Sequence, residues 1–94
     1  MTSMTVTEAP IEGVACQLAE DAGWLVRKVS WVGRRAAPDR LFAKAGRVVL
    51  IEFKRPGEDA TKQQKIEHDR FREAGIEVYV CDSIESAMSV LGLL

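Results

Sequence analysis

Residues 47–54 read RVVLIEFK, and this run constrains the fold more than any other. Side chains alternate across a strand, so four aliphatic residues in a row, Val48 to Ile51, need both faces of a sheet covered. A strand of this kind belongs in the middle of an α/β layer. Its C-terminal end then carries two charges. Glu52 and Lys54 are two apart and share a face, with Phe53 on the opposite one. Unpaired charge beside a core is costly, so this end needs an explanation. A local ion pair at a solvated strand end is one; a functional site is the other.

Asp39 follows Pro38 thirteen positions before Glu52. Residues 40–44 read as a short strand, and Lys44-Ala45-Gly46-Arg47 can turn it into the central one as a hairpin, with Gly46 accepting positive φ. Antiparallel pairing across that turn brings Asp39 or its neighbours near Glu52. Two carboxylates and a lysine then meet at one end of a hairpin. Oxygen donors of this kind suit a hard cation, Mg²⁺ or Mn²⁺.

The length, 94 residues, makes 1–94 a single small domain. Its core is modest, and self-association would help its stability. No apolar run approaches a membrane span, and the start lacks a secretory pattern. Cys16 and Cys81 have no zinc-like spacing to other ligands, so they read as reduced, buried cysteines of a cytosolic protein. The net charge of −1 conceals a strong asymmetry. Residues 1–26 hold four acids and no base, whereas 27–65 hold eleven Lys or Arg against four acids. A basic middle third around a carboxylate cluster suits a phosphate backbone. A solvated strand surface would look the same on charge alone.

Residues 1–6 are expected to be disordered. A helix starts near Thr7, with Ile11, Val14, Ala15, Leu18 and Ala22 as its buried stripe and Gly23 as its C-terminal cap. Glu12, beside that stripe, can reach a pocket near the sheet, with Glu8 as the competing candidate; an ordinary surface Glu favoured by the helix N-terminus is the other reading. Residues 24–31 (WLVRKVSW) form the first strand, where Lys28 or Arg27 can face phosphate. Arg34 and Arg35 lie in the following loop, and such a pair just before Pro38-Asp39 can touch a backbone phosphate. Arg55-Pro56-Gly57 stops the central strand. Thr61 caps a helix over 62–74 that carries Gln64, His68 and Phe71 on one side. A strand over 76–81 and a helix capped by Asp82 or Ser83, with Ile84, Ala87, Met88 and Leu91 buried, complete the chain.

The order α-β-β-β-α-β-α, with GRRAAPDRLF, VVLIEFKRPG and QQKIEHDRFREAGIEVYV as carriers, resembles the PD-(D/E)xK nuclease superfamily, and more narrowly the stand-alone VRR-NUC domain. The resemblance covers the chain from about Glu8 onward. It implies an α/β, restriction-endonuclease-like core: a mixed sheet with flanking helices. It implies metal-dependent hydrolysis of DNA phosphodiester bonds, with Mg²⁺ or Mn²⁺ held by Asp39, Glu52 and the backbone carbonyl of Phe53. Lys54, Glu12 and Gln64 complete the implied catalytic set; Gln63 is the alternative to Gln64. Arg34, Arg35, Arg55 and Lys28 are the expected DNA contacts. Relatives of this type tend to be homodimers on branched DNA such as four-way junctions, in the cytoplasm of a phage or bacterial host cell. A catalytically silent DNA-binding module on the same fold is the other class that these residues permit.

Overall fold

The structure, a computed structural model, describes residues 8–94. The expected disorder of 1–6 and the Thr7 helix start lie outside the described residues. Seven elements follow in the order α1 (Glu8–Asp21), β1 (Leu25–Lys28), β2 (Arg40–Lys44), β3 (Arg47–Phe53), α2 (Lys62–Glu73), β4 (Glu77–Cys81) and α3 (Ile84–Val90). The strands make one sheet in the order β1-β2-β3-β4, antiparallel except for the parallel pair β3 and β4. A parallel neighbour needs a crossover, and α2 supplies it.

The hairpin forms as its residues require. Lys44 pairs with Arg47 across a two-residue turn, in which Ala45 and Gly46 both have positive φ, 50° and 83°. These are the angles of a type I′ turn, whose twist matches the strands it joins. The register therefore runs Lys44↔Arg47 to Arg40↔Ile51.

β3 has helices over both faces. Val49, Ile51 and Phe53 are buried with Phe42 and Val26 against Ile11, Ala15 and Ala19 of α1 and Ala87, Met88 and Leu91 in or just beyond α3. Leu50 and Val78, on the other face, are buried as well. The α1 stripe is rotated from the one expected. Ala15 and Ala19 are fully buried, whereas Val14 and Leu18 are 45% and 42% exposed. Small residues let the helix lie close to the sheet, and the larger side chains then fall on its flanks. Gly23, with φ at 94°, ends α1 in a Schellman turn: Trp24 N–H donates to Ala19 and Gly23 N–H to Glu20.

β1 is shorter than residues 24–31. Its ladder reaches Val29, whose N–H donates to the Asp39 carbonyl at 2.8 Å. Beyond it the chain leaves the sheet, and Trp31 packs edge-on against Phe71 of α2 at 5.2 Å between ring centres. Both cysteines are buried and free. No helix among the described residues is long and apolar enough to cross a membrane.

Candidate active site

One end of the sheet collects nearly all the candidate residues. The hairpin register, continued one place beyond Arg40↔Ile51, sets Asp39 against Glu52. Residues opposed across an antiparallel pair share a face, and Lys54 shares it by alternation. That face is the α2 side, because His68 of α2 approaches Glu52 there, Nε2 to Oε1 at 3.6 Å. The strand proper ends at Phe53, yet Lys54 N–H still donates to the Cys81 carbonyl at 2.9 Å. The backbone that carries the lysine is thus held by β4.

The same alternation orients the Phe53 carbonyl. Lys54 directs its N–H to β4, so Phe53 directs its backbone groups to β2. The Phe53 side chain is buried on the opposite face.

Glu12 lies on the α1 side, where its carboxylate accepts from Arg40 Nε. That bond, with the nearby charges of Cys16, Glu12 and Asp39, raises the Arg40 pKa against the effect of burial. Arg40, the residue next to Asp39, thus ties the α1 carboxylate to the start of β2. The sequence reading missed this guanidinium, which its single charge did not distinguish from a surface arginine. Glu8 opens α1, and its side chain is outside the description.

Gln64 is engaged at the start of α2. Its Oε1 accepts from Thr61 N–H at 2.9 Å, while its own N–H donates to Thr61 Oγ1 at 3.2 Å. This capping box opens α2. The amide oxygen of Gln64 is engaged, which leaves the NH₂ end for any contact with phosphate. Gln63 is exposed.

The basic residues occupy the same end. Arg34 and Arg35 are exposed in the loop before Asp39, and Lys28 is exposed at the end of edge strand β1. Arg55 follows Lys54, and its Nη2 donates to Glu58 at 3.1 Å. The turn beneath is tied by Gly57 N–H to Asp82 Oδ2 at 3.0 Å. Burial lowers the His68 pKa, with the positive charges of Arg72 and Lys54 acting the same way. Burial raises both thiols, so neither cysteine is an activated nucleophile. Among the described residues no cluster of three or more His, Cys, Asp or Glu surrounds a metal position.

No family model matches the chain. The chain is 37% identical over 79 residues to "Putative nuclease p44" of Acyrthosiphon pisum secondary endosymbiont phage 1, covering 83% of this chain and 85% of that protein. Among solved structures it is similar to a VRR_NUC domain, with a TM-score of 0.81 and 32% identity, over 90% of this chain and 94% of the other.

Proposed function

The chain belongs to the VRR-NUC domain family, and from that premise we propose that it is a deoxyribonuclease that uses Mg²⁺ or Mn²⁺ to hydrolyse phosphodiester bonds, with branched DNA as its preferred substrate. One observation supports this reading: the hairpin register runs to Arg40↔Ile51, and continued one place it opposes Asp39 to Glu52, with Lys54 on the same face by alternation.

The donors fit the group. Mg²⁺ takes oxygen ligands, and it is held by one or two carboxylates with the rest of its shell left to water and phosphate. Asp39, Glu52 and the Phe53 carbonyl are such a set of oxygen donors. When bound, the cation supplies Lewis acidity: it activates water and neutralises charge on the phosphate.

The remaining steps belong to the protein. Lys54 orients the attacking water and stabilises the negative charge that develops on the phosphate. The NH₂ of Gln64 donates to a phosphate oxygen or orients Lys54. Glu12 acts through Arg40, which fixes the start of β2 and with it Asp39. Arg34, Arg35, Lys28 and Arg55 track the backbone on either side of the scissile phosphate. A second copy of the chain would bring two such sites together, as paired cuts in a four-way junction require.

Asp39→Ala separates an enzyme from a binding module. The enzyme loses cleavage, while DNA binding is kept or strengthened because an anionic group has gone. Unchanged cleavage by this variant would remove Asp39 from the site.

A further inference from the structure

His68 is the single buried charged or polar residue among the described residues, at 1% exposure. Its Nε2 has no hydrogen-bond partner. A buried polar atom left in this state is costly, and an apolar side chain would avoid the cost. The atom is nonetheless aimed at one target: Oε1 of Glu52, 3.6 Å away, just beyond hydrogen-bond length. His68 reaches that point from the second turn of α2, whose N-terminus is pinned by the Thr61–Gln64 capping box. One turn further on, on the same side of the helix, Phe71 is held by its edge-on contact with Trp31. The imidazole therefore has little freedom to turn elsewhere.

We propose that His68 is a positioning residue for Glu52: its Nε2–H donates to Oε1 when the carboxylate takes up a divalent cation, and so directs the other oxygen to the ion. The inference rests on the reading of Glu52 as a ligand. A carboxylate that binds an ion through one oxygen needs its second oxygen held, or it rotates and loses the geometry. His68 touches no substrate in this account, and its effect passes through Glu52.

The test is Mn²⁺ binding, measured by calorimetry on the whole protein without DNA, for the wild type, His68→Gln, His68→Met, His68→Leu and Asp39→Ala. Glutamine carries its N–H near the Nε2 position, whereas methionine and leucine fill the space without a donor; two apolar variants guard against one failing to fold. His68→Gln is expected to bind Mn²⁺ within about threefold of wild type, and the apolar variants about 10- to 100-fold more weakly, with circular dichroism unchanged. Wild-type affinity in a folded apolar variant overturns the role of His68 and leaves the metal site intact. A wild type that binds no Mn²⁺, or binds it as well after Asp39→Ala, overturns the metal site and this inference together.

Discussion

Trp31 donates its indole N–H to the carbonyl of Pro38 at 2.6 Å, so the residue before Asp39 is held by a ring seven positions upstream. The same ring stands edge-on against Phe71, which couples the loop before Asp39 to the helix that carries Gln64 and His68. Pro38 itself is fully buried. Trp31→Phe keeps the ring contact and removes the hydrogen bond. It is expected to lower stability by about 1 kcal/mol in urea unfolding. The displaced Asp39 is expected to slow cleavage by about tenfold or more. A loss of stability with cleavage unchanged would mean that the bond braces the loop without positioning Asp39.

Glu12 and Arg40 are expected to act as one unit. Each is only about a quarter exposed at the side chain, so losing one partner strands the other. Glu12→Ala and Arg40→Met should each impair cleavage, and the double variant should be no worse than the more damaging single one. A coupling of about 1 kcal/mol or more in the double-mutant cycle is the expected result. Additive effects would show that Glu12 works independently of the arginine.

At the other end of the hairpin, Ala45 holds a φ of 50°, a conformation that costs an L-residue about 1–2 kcal/mol. Asparagine tolerates it, and Asn-Gly is the preferred pair in this turn. Ala45→Asn is expected to stabilise the protein by about 1 kcal/mol, read as a higher midpoint in thermal unfolding. Cleavage should not change, because the turn lies at the opposite end of β2 and β3 from Asp39 and Glu52.

Glu77 governs part of the acid stability. Arg47 donates to both its oxygens at 2.8 Å and Tyr79 donates at 2.7 Å, which lowers its pKa from 4.5 to about 2. A carboxylate depressed on folding adds stability above its unfolded pKa, and that stability is lost as pH falls from about 4.5 to about 2. The pair is more than a third exposed on the Arg47 side, so screening limits its worth to about 1 kcal/mol. Glu77→Gln should lose that amount at pH 7 and flatten the melting temperature between pH 4.5 and 2. An identical pH profile in the variant would assign the acid sensitivity to other carboxylates.

Much of this was legible in residues 38–57, where short-range rules decide the outcome. An aliphatic run, a Gly-containing two-residue turn and a Pro-Gly stop fix the hairpin, and period-two alternation then fixes the faces of Glu52 and Lys54. The helix caps at Thr61 and Ser83 were equally local. What failed depended on packing. The α1 stripe was read correctly at Ile11 and Ala15, but it included Val14 and Leu18, whereas close approach to the sheet selected Ala19. The first strand was drawn too long because Trp31 looks like a strand residue until Pro38 and Phe71 offer it partners. The bond from Arg40 to Glu12 spans 28 positions, and no spacing rule links them. Gln64 was noted as a site candidate, whereas its part in the cap emerged only from the geometry.

The central claim is metal-dependent cleavage from the Asp39, Glu52 and Lys54 end of the sheet. It is tested most directly with labelled single-stranded, duplex, flap, splayed-arm and four-way-junction DNA, each with Mg²⁺, Mn²⁺ or EDTA, for the wild type beside Lys54→Ala. The predicted result is cutting with either cation, none in EDTA, the greatest rate on a branched substrate, and loss in Lys54→Ala. Cutting that persists in EDTA or in Lys54→Ala, or salt-sensitive binding with no cutting at all, would contradict it.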